Sequence, residues 1–129
     1  MNTRLLMQTT ALSLGAAGLA ASFLPQEMLA GFGVAAVPVT TVLVQIVGAA
    51  YLGFAFLNWM AQGNAIGGIY SRPVAIGNFG HFTIGGLALL KSGVVQSTWP
   101  VLALATVYAI FAALFAYVAF VHSPAAPRA

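Results

Sequence analysis

Residues 99–121 read WPVLALATVYAIFAALFAYVAFV, a run without a single charged side chain. A helix needs about 20 predominantly apolar residues to cross about 30 Å of hydrocarbon, and this run is long enough. A helix also satisfies its own backbone hydrogen bonds where water is absent. The stretch therefore predicts a membrane-spanning helix.

Three further segments have the same apolar character and are separated from one another by proline and glycine. The predicted spans are residues 5–24, 39–61, 73–90 and 99–121. A β-barrel would need segments of about ten residues that alternate between apolar and polar, and this chain has no such alternation. The sequence predicts an all-α integral membrane protein, a four-helix transmembrane bundle formed by one domain over residues 1–129.

The composition excludes a water-soluble globule. Of 129 residues, 61% are hydrophobic and 4% are charged, whereas about a quarter of an average soluble domain is charged. The same apolar excess excludes a disordered chain, which would be polar and rich in charge. With no cysteine, the chain offers no disulfide or thiolate chemistry.

The few charges predict an orientation, because cytoplasmic loops carry an excess of positive residues. If the amino terminus is cytoplasmic, the inner side holds Arg4, Arg72 and Arg128, and the outer side holds Lys91 and Glu27. Because three positive residues lie on the inner side and one on the outer side, both termini are predicted to lie in the cytoplasm. We expect a bacterial inner membrane.

The first segment has a second interpretation. Arg4, an apolar run and the small residues of 17–21 also fit a cleaved secretory signal. We expect the segment to be retained as a helix.

Small residues recur along the predicted helices and indicate helix-packing faces. Within a membrane, helices associate through close backbone contact at small side chains and through hydrogen bonds. The helix-packing residues expected on this ground are Gly15, Gly18, Ala49, Gly53, Gly77 and Gly85.

The polar residues of most interest inside the predicted spans are Gln45, Asn58, Asn78 and His81. Such groups are costly in hydrocarbon and normally face a protein interior or a cavity. Asn58 and Asn78 fall at similar depths and are placed to meet across an antiparallel pair, with His81 one turn above. His81 is a candidate metal or haem ligand, proton relay or donor to a quinone oxygen, or a structural donor to another helix.

The sequence lacks the residues that several classes of function require. Zinc needs three or four Cys, His or carboxylate ligands, and the two histidines and Glu27 lie at different depths, so no metal site is expected. A single carboxylate also argues against an independent enzyme. No basic cluster supports nucleic-acid binding. We predict no cofactor, with haem or quinone at His81 as the alternative.

Two other features have both a structural and a functional interpretation. A glycine-containing connection, residues 62–71, precedes Arg72, which is expected to contact lipid headgroups at a helix start. Tyr108, Phe111 and Phe115 share one face of the fourth predicted helix, which is expected to face lipid or pack against another helix rather than to line a cofactor site.

Part of the chain resembles a known group of proteins. The stretch from YLGFAFLNW at 51–59, through Arg72-Pro73, to GNFGHF at 77–82 is similar to the second-to-third-helix region of small bacterial four-helix DoxX-like membrane proteins. That resemblance implies a compact four-helix bundle that accompanies larger membrane systems.

These observations together predict a small accessory or assembly subunit of a larger membrane complex, or a homo-oligomer. Its partners would be lipids, other transmembrane subunits or itself. The sequence leaves two alternative functions open. One is a small carrier or channel with a neutral polar lining, and the other is a binder of quinone, haem or lipid centred on His81.

Overall fold

The computed structural model describes residues 2–63, 71–96 and 99–121, with the backbone alone for 94–96. The described chain is all-α, which confirms the predicted fold class. Its helices are α1 (Thr3–Phe23), α2 (Pro25–Gly31), α3 (Pro38–Ala61), α4 (Arg72–Gln96) and α5 (Trp99–Ala116), which a π-helical segment continues over Tyr117–Val121. Four of these described elements, α1, α3, α4 and α5 with its π-helical end, are long and apolar enough to cross a membrane.

The starts of α1 and α4 follow from local hydrogen bonding. The Asn2 side chain precedes α1 and accepts a hydrogen bond from the Leu5 N–H at 3.1 Å, which satisfies one of the donors that a helix start leaves unpaired. Ser71 precedes α4, and its backbone oxygen accepts from the Ala75 N–H at 3.2 Å. Proline in the first turn suits this start, because its missing N–H would have no partner there.

The connection between the first two predicted spans contains a short helix, α2 (Pro25–Gly31). The sequence did not predict this helix. It ends where the Val34 N–H donates to the Leu29 oxygen at 2.9 Å and the Gly33 N–H donates to the Ala30 oxygen at 3.0 Å. These two bonds form a Schellman motif, which requires a left-handed residue after the helix. Gly33 supplies it with a φ of 69°, and Leu29 is buried.

Helix α4 is longer than predicted, since it continues beyond Leu90 and Lys91 to Gln96. The sequence interpretation ended the span at the charge, but a charged residue does not interrupt a helix. Gly93 lies within this extension, and a Cβ atom there would lie 2.8 Å from Leu102 Cδ2. The absence of a side chain at Gly93 therefore lets α5 approach closely.

The chain divides into two compact units. The α1–α3 unit comprises Met7–Met60, and the α4–α5 unit comprises Met1–Leu6 with Ala61–Ala129. Within the α1–α3 unit, α1 and α3 pack antiparallel. A Cβ atom on Gly15 would lie 3.6 Å from Ala55 Cβ, whereas one on Gly18, further along α1, would lie 2.9 Å from the oxygen of the earlier residue Gly48.

Within the α4–α5 unit, the two helices are also antiparallel. The rings of Phe79 and Phe120 lie 5.3 Å apart, edge to face. Further along α4, a Cβ atom on Gly85 would lie 2.7 Å from Tyr108 Cε1. The contact therefore extends from Phe79 to Gly93. In its later part, glycines of α4 face the larger residues Tyr108 and Leu102 of α5.

Candidate functional site

His81 lies on α4 beside Tyr108 of α5. The Tyr108 hydroxyl is 3.5 Å from His81 Nε2, and the two ring centroids are 5.6 Å apart with planes tilted by 46°. A separation of 3.5 Å is at the outer limit of a hydrogen bond. The pair is therefore held mainly by ring packing, and Gly85 provides the space that the Tyr108 ring occupies.

Phe82 is the centre of an aromatic cluster in the same unit. Its ring is stacked with those of Phe111 at 4.9 Å and Phe115 at 5.9 Å, and it meets Tyr108 edge to face at 5.2 Å. Phe82, Tyr108 and Phe115 are all buried. Of the two interpretations of the aromatic face on the fourth predicted helix, the structure supports internal packing.

A cavity of about 410 Å³ lies between α4 and α5, next to this cluster. Most of its lining is apolar, including Phe82, Leu87, Leu90 and Leu102, together with alanines of α5. This volume falls in the range of about 300–1,000 Å³ that is usual for small-molecule sites. The cavity is therefore large enough for a ring-sized ligand.

Two threonines, Thr83 on α4 and Thr106 on α5, contribute the polar side chains of this lining. The Thr106 hydroxyl donates to the Leu102 backbone oxygen at 2.9 Å. Thr83 Oγ1 is buried and has no hydrogen-bond partner among the residues that the structure describes. One of the two hydroxyls is therefore satisfied by its own helix, and the other is not.

Both asparagines of the predicted polar set are fully buried. The side-chain amide of Asn58 donates to the Phe54 oxygen at 2.8 Å, and that of Asn78 donates to the Val74 oxygen at 2.8 Å. Each therefore bonds to the preceding turn of its own helix. The two residues lie in different units, and their pairing stays a prediction.

Gln45, the remaining member of the polar set, is on the outside of α3. It is exposed, and its Nε2 donates to the Ser22 backbone oxygen of α1 at 3.3 Å. The side chain therefore lies along the edge of the α1–α3 contact.

The six predicted packing residues have two kinds of surroundings. Gly15, Gly18 and Gly85 lie against another helix of their own unit. By contrast, Ala49, Gly53 and Gly77 are exposed, and a Cβ atom on Gly53 would meet nothing within 4 Å.

Arg72 is exposed at the first position of α4, and its contact with lipid headgroups stays a prediction. Most of the connection before it, residues 64–70, lies outside the described residues. So do His122, the second histidine of the sequence, and Arg128, one of the positive residues used to predict the orientation. Within the described ranges, no three His, Cys, Asp or Glu side chains are grouped to hold a metal ion.

Sequence reasoning missed Thr83 and the contact of Tyr108 with His81. Residue type alone does not make a helical threonine a candidate, because its hydroxyl usually bonds to the carbonyl one turn earlier, as that of Thr106 does. The available signal was position, since Thr83 lies between His81 and the small residues Gly85 and Gly86.

Comparison with known proteins does not identify a relative. No protein-family model, no curated protein and no solved structure matches this chain.

Proposed function

We propose that this protein is integral to a membrane, which α1, α3, α4 and α5 cross. The length and apolarity of these helices support the proposal. So does the exposure of large apolar side chains along them, such as Leu12 at 64%, Met60 at 81% and Ile84 at 73%. An apolar surface on this scale is stable in lipid and promotes aggregation in water.

The orientation in this proposal has both termini in the cytoplasm, in the inner membrane of a bacterium. Arg4 and Arg72 are exposed at the starts of α1 and α4, and Glu27 is exposed on α2. This distribution agrees with an excess of positive charge on the cytoplasmic side. The bacterial membrane rests on the resemblance to DoxX-like proteins.

Within that membrane, we propose that the chain acts as a packing subunit that presents α3 to another transmembrane helix, of a larger complex or of a second copy. The observation that carries this is the exposed line of Gln45, Ala49 and Gly53, spaced four residues apart on one side of α3. Residues spaced by four lie above one another on a helix. We call these three residues the α3 outer stripe.

The α3 outer stripe suits a helix better than it suits lipid. Small residues let two helix backbones approach closely. The Gln45 Nε2 already donates to the Ser22 oxygen of α1, so its side-chain oxygen is the group that would accept a hydrogen bond from a partner helix. The same chain uses such a contact internally, where Gly18 and Gly48 bring α1 and α3 together. Of the four candidate spans in the described residues, α3 has the smallest buried share.

The absence of cysteine from the sequence makes this testable by single-cysteine cross-linking. Gly53→Cys places a thiol on the stripe, where a Cβ atom meets nothing within 4 Å. Val47→Cys is the matched control, because Val47 is also exposed but lies about 120° around α3 from Gly53 and about 160° from Ala49, the middle of the stripe. Native membranes would be oxidised and the products separated by mass.

For a homo-oligomer, Gly53→Cys yields a product of twice the 13.3 kDa chain mass, and Val47→Cys does not. If the partner belongs to a larger complex, the wild-type chain extracted from native membranes at low detergent copurifies with a protein of different mass. Gly53→Leu reduces the amount of that protein about tenfold or more. A chain that is monomeric in native membranes, or cross-linking equal at both positions, would contradict the proposal.

The structure gives no specific support for the carrier alternative. Gln45 is exposed, whereas Asn58 and Asn78 are buried and bonded to their own helices. Hydrated ions require a continuous polar path. The proposed role includes no catalytic step.

A further inference from the structure

We propose that the cavity between α4 and α5 binds an uncharged lipophilic carbonyl compound, with the Thr83 hydroxyl donating to its carbonyl oxygen. The proposal rests on the membrane insertion argued above. It is independent of the α3 outer stripe, because the cavity lies wholly within the α4–α5 unit.

The lining determines the charge and polarity of the ligand. No charged residue contributes to it, and apart from the two threonines its side chains are hydrocarbon. A charged ligand placed there would lose its hydration without gaining a counter-charge. An uncharged and largely apolar molecule loses little hydration and gains contact with Phe82 and the leucines.

Thr83 Oγ1 determines which polar group the ligand carries. A buried hydroxyl without a partner is unfavourable, because its hydrogen bond to water is lost and not replaced. The Thr106 hydroxyl in the same lining already donates to the Leu102 oxygen. Oγ1 itself is buried, so the Thr83 side chain must rotate about χ1 to turn its hydroxyl into the cavity that the residue lines, where a ligand's acceptor then satisfies the donor. A carbonyl oxygen is an acceptor that an apolar molecule can carry.

The depth of Thr83 separates this ligand from a membrane phospholipid. The candidate span runs from Arg72 to Gly93, and a rise of about 1.5 Å per residue puts Thr83 about 15 Å from either end. That is close to the middle of a hydrocarbon layer about 30 Å thick. Phospholipid polar groups remain at the boundary of that layer, so an acceptor at this depth must belong to a molecule that dissolves in hydrocarbon.

The test uses two probes that share one fused ring skeleton and a methyl group: menadione, which carries two carbonyl acceptors, and 2-methylnaphthalene, which carries none. The full chain in lipid nanodiscs is titrated with each probe by calorimetry, and the signal of empty nanodiscs is subtracted. Thr83→Val removes the hydroxyl at nearly constant shape. Thr106→Val is the matched control, because its hydroxyl is already bonded within α5.

We expect Thr83→Val to weaken menadione binding about three- to tenfold, which corresponds to the loss of one neutral hydrogen bond. Thr106→Val should leave that affinity within about twofold, and neither variant should change the affinity for 2-methylnaphthalene. In infrared difference spectra, the carbonyl stretch of bound menadione should lie at lower frequency in the wild type than in Thr83→Val.

A filling variant separates this cavity from non-specific partition into lipid. Ala109 lines the cavity and is exposed, so Ala109→Phe should abolish saturable binding of both probes. Ala103→Phe is its control at an exposed α5 position outside the lining. Circular dichroism of each variant checks that the helices form.

Three results would overturn the proposal. The first is equal affinity for the two probes, or menadione binding that Thr83→Val does not weaken. The second is phospholipid that copurifies with the wild type and is lost in Ala109→Phe, since the occupant is then a bilayer lipid. The third is a change of oligomeric state in Ala109→Phe, which makes the cavity a protein contact. Because Gly53→Cys cross-linking does not involve this cavity, either proposal can fail while the other stands.

Discussion

A Cβ atom on Gly18 would lie 2.9 Å from the Gly48 backbone oxygen, and one on Gly48 would lie 2.9 Å from the Gly18 backbone oxygen. The two glycines therefore face each other across the α1–α3 contact. Each leaves the space in which the backbone of the other lies. Because these neighbours are backbone atoms, rotation of a side chain cannot relieve an added methyl group.

This arrangement predicts that Gly18→Ala destabilises the α1–α3 unit, whereas Gly15→Ala does not. At Gly15 the added Cβ would lie 3.6 Å from Ala55 Cβ, an ordinary contact, and alanine favours a helix over glycine by about 1 kcal/mol. At Gly18 the helices must separate, and overpacking costs about 1–3 kcal/mol. Unfolding of each variant in mixed micelles of dodecyl maltoside and sodium dodecyl sulfate, followed by circular dichroism, measures the difference. A loss at Gly18 no larger than at Gly15 would show that the helices adjust without cost.

The limits of sequence interpretation are visible in the same unit. Ala55 is buried and Ala49 is exposed, although both are alanines near the middle of one apolar helix. In a soluble protein, polar residues would mark the exposed face. In a chain with 4% charged residues both faces are apolar, so composition predicts where the helices are but not which side of each is buried.

The candidate site shows the same limit at atomic scale. Thr83 and Thr106 have the same side chain and both lie in helices. They differ because only the Thr106 hydroxyl bonds to its own backbone. That difference depends on side-chain rotamers, which the sequence does not specify. His81 is a candidate by its residue type and predicted depth, but its contact with Tyr108 depends on the positions of both helices.

A second prediction concerns Gly85 and Tyr108. A Cβ atom on Gly85 would lie 2.7 Å from Tyr108 Cε1, and the Tyr108 ring is confined by Phe82 at 5.2 Å. Gly85→Ala should therefore cost about 1–3 kcal/mol of stability by overpacking. In the Tyr108→Leu background the cost should decrease, because leucine is shorter than tyrosine. A double-mutant cycle measures this coupling. Additive effects would mean that Gly85→Ala destabilises the unit for a reason other than contact with Tyr108. Gly80→Ala is the control for helix propensity, because a Cβ atom there would meet nothing within 4 Å.

A third prediction ranks the aromatic contacts around Phe82. Phe82→Ala should destabilise the α4–α5 unit by about 3–5 kcal/mol, the usual range for phenylalanine removed from a packed interior, because its ring contacts those of Tyr108, Phe111 and Phe115. Tyr108→Phe should cost less than about 1 kcal/mol, since the hydroxyl it removes is 3.5 Å from His81 Nε2. The same micelle titration measures both. Comparable losses in the two variants would show that the hydroxyl contact is a strong hydrogen bond.

The last prediction concerns orientation and again uses the absence of cysteine. Gln26 on α2 and Gly63 after α3 are both exposed, and α3 lies between them in the chain. With both termini in the cytoplasm, a membrane-impermeant maleimide should label Gln26→Cys in intact cells. It should label Gly63→Cys only after the inner membrane is permeabilised. Both substitutions leave the charged residues in place, so neither should alter the orientation that is predicted from the positive residues. The opposite labelling pattern would show that the topology is the reverse of the predicted one. Labelling of both positions in intact cells would mean that α3 does not cross the bilayer.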